Sequence, residues 1–531
     1  MNDNSHSISP TPQSNVTPIT GHQTDTGKRR PKIALTGASG YIGHNLLEKL
    51  TEHFDVIALS RNGDDRENSE HVEWRSLDLF SLSMAEEALE GADYAVYLVH
   101  SMMPTAKLTQ ADFEDMDFIL ADHFARAARK KNIKQIVYLS GILPENEPRE
   151  NLSRHLRSRL EVQQTLGSYG VPVTTIRAGL IVGPQGSSFP ILVRLVERLP
   201  VMTLPSWTRT QTHAIALPDV LNALSKSIGK PALYDRSIDI GGPDVMTYKQ
   251  MMERMADVLG KKRHFIDFPF LTIHLSRLWV TLVTQMPREM VYPLVESLAH
   301  PMVAHPDKMV PGISDGKIGF EESAKEALEE EQKHKEEKKE KSHSNSSSSS
   351  SKDKKEKLAD VRSIQRVLLP EGKNADWAGK YYMQWLGRLA GPIIHTECHE
   401  GVHRVYVWPK KQPILELTYA PEHSNDESAI YNITGGSFAR VQAEHRLGQH
   451  GRLEFSQIPG TQECVIAIHD YLPALPWFLY KYTQAKLHLW VMTLFRWHLK
   501  RMITGGETQQ LQHTPGMPEA TGTPRTPTTS S

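Results

Sequence analysis

The chain has 531 residues, a formal net charge of -1, 39% apolar residues and two cysteines, Cys398 and Cys464. That length exceeds one ordinary core and predicts two or three domains joined by linkers. The near-neutral charge offers no field for a polyanion, so nucleic acid is not an expected partner, and two thiols exclude both a disulfide framework and a metal site of paired thiols.

Residues 1–31 are polar and lack the apolar centre of a signal peptide, so they read as a disordered cytosolic lead-in. From Lys32 to about Ile240, short β-branched runs alternate with helical stretches, the rhythm of a doubly wound α/β unit with a parallel sheet. The strands expected are Lys32–Thr36, Asp55–Ser60, Val72–Arg75, Tyr94–Val99, Gln135–Ser140 and Val173–Arg177. Phe118, Ala121, Ala125 and Ala128 recur at helix spacing within Phe113–Lys131. A mixed segment, 234–327, comes next with a strand at Ile238–Ile240 and a helix from Tyr248 to Leu259, and it completes a unit spanning 32–327.

Residues 328–360 are rich in Glu, Lys and Ser and predict a charged helix running into a linker. A separate α+β unit is expected over 361–503. It has a helix at Trp377–Leu389, strands at Val402–Trp408, Ile414–Tyr419, Ser428–Ile433, Arg452–Gln457 and Cys464–Ile468, and a long aromatic helix to Met502. A curved antiparallel sheet closed by a terminal helix satisfies that pattern. Residues 504–531 read as a disordered tail. No apolar run reaches the ~20 residues of a bilayer span. The basic and aromatic faces of the last helix leave two readings, a lid on its own core or a peripheral contact with a membrane surface.

Chemistry enters with Gly37-Ala38-Ser39-Gly40-Tyr41-Ile42-Gly43, placed between an expected strand and an expected helix. There the glycines permit a tight turn, close approach of a pyrophosphate and close helix packing, and the helix N-terminus favours the negative charge. After the second strand stands Ser60-Arg61 where an acidic residue would bind ribose hydroxyls, so NADP(H) is favoured. NAD(H) is the alternative if Asp64 or Asp65 folds back onto the ribose.

These motifs resemble the extended or atypical branch of the short-chain dehydrogenase/reductase superfamily. The likeness continues through Asp78-Leu79, Leu98-Val99-His100-Ser101, Tyr138-Leu139-Ser140-Gly141, Arg177 to Pro184 and Ile215 to Val220, and covers roughly residues 32–260. It implies that Asp78 and Leu79 meet the adenine and that Leu98, Val99 and His100 lie beside the cofactor. Within the superfamily the chain is similar to bacterial NAD(P)H-binding oxidoreductases that continue into a C-terminal domain of unassigned function. Ile430 to Gly436, Gly451 to Phe455 and Leu475-Pro476-Trp477 look like that domain, with a fold akin to helix-grip proteins.

The resemblance implies a serine and a Tyr-x-x-x-Lys pair for proton transfer. Ser140 fits the serine, but the pair falls on His155 and Arg159. Imidazole can do acid/base work near neutral pH, whereas a guanidinium cannot give up its proton. Two functions therefore stand: a cytoplasmic NAD(P)H-dependent oxidoreductase or epimerase-like enzyme with catalytic Ser140, His155 and Arg159 acting on a small or lipophilic substrate, or a protein that binds NADP(H) without turnover. Glu397-Cys398-His399-Glu400 with His403 gathers metal donors, but it reads as a strand and turn, and no metal is expected. Oligomeric state is not written in the sequence.

Overall fold

A computed structural model describes residues 29–101, 108–145, 147–268, 270–344, 361–389, 393–409, 411–437, 451–471, 482 and 484–505. Seven strands, β1 (Lys32–Thr36), β2 (Asp55–Ser60), β3 (Val72–Ser76), β4 (Tyr94–Tyr97), β5 (Ile136–Gly141), β6 (Val173–Ala178) and β7 (Ser237–Ile240), make one parallel sheet in the order β7-β6-β5-β4-β1-β2-β3. Ile33 pairs with Val56 on one side and Tyr94 on the other. The strand order thus reverses between β1 and β4, which opens a crevice beyond their C-terminal ends.

Both faces of this sheet are covered, which is why β1, β2 and β5 are mostly apolar and do not alternate. Helices α1 (Tyr41–Thr51) and α6 (Leu217–Ser227) share a core with Ile33, Leu35 and Val56 on one face. Helices α2 (Leu82–Ala88), α3 (Phe113–Lys130) and α4 (Arg154–Gly167) pack with Ala34, Ile57 and Tyr97 on the other. A further core joins α5 (Phe189–Arg198), α7 (Tyr248–Val258), α8 (Ile273–Thr284), α9 (Arg288–Ser297) and the start of α10 (Phe320–Ser344) through Leu192, Met251, Val280, Val291 and Phe320. The Glu/Lys run thus begins as helix, with Lys335 pairing Glu331 one turn away at 2.8 Å. Residues 345–360 of the expected linker, 1–28 of the lead-in, the tail from 506 and the Leu475-Pro476-Trp477 motif lie outside the described residues.

The second sheet contains β8 (Val361–Leu368), β9 (Ile394–His399), β10 (Val402–Val407), β11 (Leu415–Tyr419), β12 (Ser428–Gly435), β13 (Arg452–Gln457) and β14 (Glu463–Tyr471), ordered β9-β10-β11-β12-β13-β14-β8. These neighbours are antiparallel. An eighth strand, Leu108–Gln110, comes from between β4 and α3 and pairs in parallel with β8, Val361 opposite Leu108. The sheet therefore draws on the N-terminal half of the chain, which sequence order conceals.

Strand periodicity divides β14 cleanly. Cys464 and Ile466 face a core with α11 (Ala375–Leu389) and α12 (Gln484–Gly505), while Val465 and Ala467 face α3. The molecule is layered as helices, parallel sheet, helices, antiparallel sheet, helices, with α3 shared between the sheets. Phe495 and Leu499 of α12 are fully buried, so the aromatic helix acts as a lid on the second sheet, although Trp490 and Trp497 remain exposed. No helix among the described residues is long and apolar enough to cross a membrane.

Candidate functional site

Thr36 closes β1 by donating its hydroxyl to the Val96 carbonyl at 3.1 Å and accepting the Leu98 amide at 3.0 Å, which locks the ends of β1 and β4 together at the crevice. The chain then turns through Gly37, whose φ of 68° lies in the left-handed region. Gly40 donates its amide to the Gly37 carbonyl at 2.8 Å and caps α1 without any side-chain hydrogen bond. The first turn of α1 carries no acidic residue, so its amides face the crevice as free donors with the positive end of the helix dipole. That arrangement fits a diphosphate.

A cavity of about 290 Å³ begins at this loop, lined by Gly37, Gly40, Tyr41, Ile42 and Gly43, and reaches Leu98, His100, Ser140, His155 and Arg159. The remaining residues named from the sequence lie apart from it. Ala38 is buried in the core beneath the loop, Ser39 is exposed, Leu79 is a core residue, and Val99 packs against that same core. Asp78 accepts the Phe80 amide at 3.1 Å in a local turn. Ser60 is buried at the end of β2 with no hydrogen bond to its Oγ, and Arg61 beside it is exposed. Asp64 is already engaged, since it donates its amide to the Ser76 hydroxyl and accepts the Ser76 amide, both at 3.0 Å.

The far end of the cavity is built by β5 and α4. The Ser153 hydroxyl accepts the Leu156 amide at 3.3 Å and starts α4, which puts His155 and Arg159 one turn apart on one face. Ser140 Oγ and His155 Nδ1 are both buried without a hydrogen-bond partner. A cavity bordered by unsatisfied polar atoms at one end and free amides at the other fits a dinucleotide with a polar head group.

Loss of water, then the charges of Arg159 and His100, lower the His155 pKa well below its ordinary value, so the ring is neutral. His100 keeps an exposed edge, yet desolvation of the rest of its ring and the Arg159 charge lower its pKa as well. Burial works against the charge on Arg159, but Tyr138 and Asp117 overcome it and hold the guanidinium protonated. Arg159 Nη1 lies 3.4 Å from the Tyr138 hydroxyl, and Asp117 is fixed by the Ser158 hydroxyl at 3.0 Å and the Ser101 amide at 2.6 Å.

A second, apolar cavity of about 120 Å³ adjoins the first and shares Gly141, His155, Ala178 and Gly179 with it. Its walls are Leu192 and Leu195 of α5, Trp207, Met251 and Met252 of α7, and Met302. Trp207 is held by its indole N–H, which donates to Ser276 of α8 at 3.1 Å. Sequence reading missed these walls and also the Gln185–Ser188 loop, which lines the first cavity. The run Gly183-Pro184-Gln185-Gly186-Ser187-Ser188, small and polar after a strand, was the available signal for that loop. The Cys398 to His403 segment is an exposed hairpin of β9 and β10 in which Cys398 Sγ and His403 Nε2 lie 3.8 Å apart.

Comparison with known proteins bears on the glycine loop and the segment C-terminal to it. Residues 37–188 match the NAD(P)H-binding family. A stretch of 147 residues, 28% of this chain, is 31% identical to the auxiliary protein GraX of Staphylococcus aureus (strain NCTC 8325 / PS 47), and the match spans only 43% of that relative's length. Among solved structures, the NADPH-dependent quinone oxidoreductase QOR2 of Escherichia coli, complexed with NADPH, aligns with 56% of this chain and 99% of its own at 16% identity and a TM-score of 0.45. The triphenylmethane reductase of Citrobacter sp., complexed with NADP(H), aligns with 56% of this chain and 100% of its own at 15% identity and a TM-score of 0.44. The matched segment thus carries the glycine loop at its start and the Gln185–Ser188 turn at its end, the two edges of the larger cavity.

Proposed function

We propose that the chain is an NADP(H)-preferring oxidoreductase or epimerase-like enzyme acting on a small, lipophilic substrate held in the apolar cavity. The observation that carries this reading is the continuity of the two cavities: the glycine loop borders one, the apolar walls form the other, and His155 stands at their junction. When bound, the nicotinamide exchanges a hydride with a substrate carbon. Ser140 Oγ, free of other partners, donates a hydrogen bond to the substrate oxygen. Neutral His155 accepts the hydroxyl proton as an alcohol is oxidised. In the reducing direction it must first be protonated, so reduction quickens as pH falls. Arg159 keeps its proton and raises the electrostatic potential at the oxygen. Two unpaired cysteines, Cys398 and Cys464, accord with a reducing, cytoplasmic setting. Fluorescence titration with NADPH and NADH tests the assignment at its root, and failure to bind either would overturn it.

A second reading has one observation in its favour: two histidines lining the cofactor cavity are held neutral and its arginine keeps its charge, so none of these three is a ready proton donor at neutral pH. A sensor or scaffold that binds NADP(H) tightly would need none, and its C-terminal part would take an apolar ligand, a partner or, through exposed Trp490 and Trp497 of α12, a membrane surface. Under that reading no carbonyl compound oxidises bound NADPH. Under the enzymatic one, His155→Ala abolishes turnover and spares NADPH binding.

A further inference from the structure

Three residues far apart in sequence meet where α3 presses on the second sheet: His123 of α3, Glu454 of β13 and His469 of β14, each wholly buried. One ligand atom from each lies within 4.8 Å of the others. The geometry points to a divalent cation site here, best suited to zinc, that staples the NAD(P)H-binding domain to the antiparallel sheet.

The tautomer of His123 comes first. Its Nδ1 lies 2.9 Å from the Leu79 carbonyl, which can only accept, so Nδ1 carries the proton. Nε2 then presents its lone pair to Glu454 Oε2 at 3.0 Å, and two acceptors so placed require a positive species between them, a proton or a metal. His469 brings a second imidazole to the same carboxylate. Its Nε2 lies 3.7 Å from the same carboxylate oxygen, too far for a hydrogen bond. Ligands held ~2.0–2.1 Å from a tetrahedral zinc are about 3.3 Å apart, close to both separations. A cation between them would meet both imidazoles and the carboxylate.

The surroundings are those of a metal ligand set. The Nδ1–H of His123 on a backbone carbonyl orients the ring and strengthens Nε2 as a donor. Glu454 Oε1, the oxygen turned away from the histidines, accepts the Ser456 hydroxyl at 3.0 Å. Arg126 comes within 3.4 Å of that oxygen and also pairs with Asp122 at 2.8 Å, so its charge is shared between the two carboxylates. Asp122 is in turn held by the Tyr169 hydroxyl at 2.6 Å.

The test uses the full chain stripped with chelator and titrated with zinc and, separately, with cobalt(II), whose visible bands report a tetrahedral site. The wild type should take up about one metal per chain and gain in melting temperature, because a ligand bound only by the folded state stabilises it. His469→Gln and Glu454→Gln should weaken zinc by at least about 10–100-fold, the range seen when coordination is disturbed, and retained NADPH binding identifies variants that have folded. Cys398→Ser should bind metal as the wild type does, which separates this site from the exposed Cys398–His403 hairpin. Wild-type protein that shows no tight uptake and no cobalt bands would overturn the proposal and leave a protonated polar seam. Uptake abolished by Cys398→Ser but indifferent to His469→Gln would overturn it equally.

Discussion

Gly43 rests against the carbonyl of Gly37 so closely that a β-carbon on it would stand 2.1 Å from that oxygen. The backbone on both sides of the contact forms the cofactor loop, so neither can retreat cheaply. Gly43→Ala should destabilise the chain by about 1–3 kcal/mol, the range for overpacking. It should also weaken NADPH and NADH in equal proportion, read by titrating each cofactor. A variant that lost one and kept the other would show that the loop does not hold their shared diphosphate.

If the chain prefers NADP(H) as proposed, Ser60 at the end of β2 and Arg61 after it should decide the preference. A 2′-phosphate met by Arg61 and by the unpartnered Ser60 hydroxyl should favour NADPH by about 1.5–3 kcal/mol, one to two decades in Kd. Arg61→Ala should erase most of that difference and leave NADH affinity unchanged. Equal loss for both cofactors would reduce Arg61 to a surface cation.

The apolar cavity makes a prediction independent of the cofactor. Met251 is fully buried in its wall, and Met251→Trp should fill the space. Binding of lipophilic ligands should fall by at least about tenfold, the loss of ~1.4 kcal/mol, with NADPH affinity preserved. Loss of both would mean that the two cavities are one site mechanically as well as spatially.

Acid should destabilise the protein through its partly buried imidazoles. Burial lowers His488 from 6.5 to about 4, and His155 is lowered further by Arg159. These rings are neutral when folded and gain protons on unfolding below pH 6.5, so their stability is full above that value and is lost as pH falls toward the folded pKa. Each contributes at most ~1.4 kcal/mol per pH unit, less where solvent reaches the ring. Melting temperatures of the wild type and His488→Gln across this window should diverge, the wild type falling more steeply. Parallel curves would refute the assignment.

Across the seam, Arg366 of β8 reaches Asp115 at 2.7 Å and Glu161 at 2.9 Å. Removing it strands the buried Asp115 carboxylate, while Glu161 keeps Arg149, so Arg366→Ala should cost about 3–5 kcal/mol, and the double change with Asp115→Asn should recover part of the loss. Additivity of the two in a double-mutant cycle would show that the pair does not interact.

Six of the seven parallel strands were legible within a residue or two because most of them are short β-branched or apolar runs between helical stretches, and Ile238–Ile240 marked the seventh. The glycine loop was legible because phosphate binding imposes its spacing. Helix α3 shows where such reading stops. Its apolar positions Phe118, Ala121, Ala125 and Ala128 predicted one buried face, yet Asp115 and His123 on its polar side are buried too, matched to partners on the second sheet. Periodicity distinguishes apolar from polar, and cannot tell water from a complementary polar surface hundreds of residues away. The cavity walls at Trp207 and Met251 were invisible for a related reason: each is an ordinary core residue until the space beside it is known.

The strand Leu108–Gln110 also sets an order of events. It pairs with Val361–Ser363, about 250 residues further along, and at ~5–20 residues per second that partner is synthesised roughly 10–50 s later. A nascent chain that has completed the parallel sheet therefore still carries an unsealed edge, and translation arrested before Val361 would release a product open to pairing with other chains.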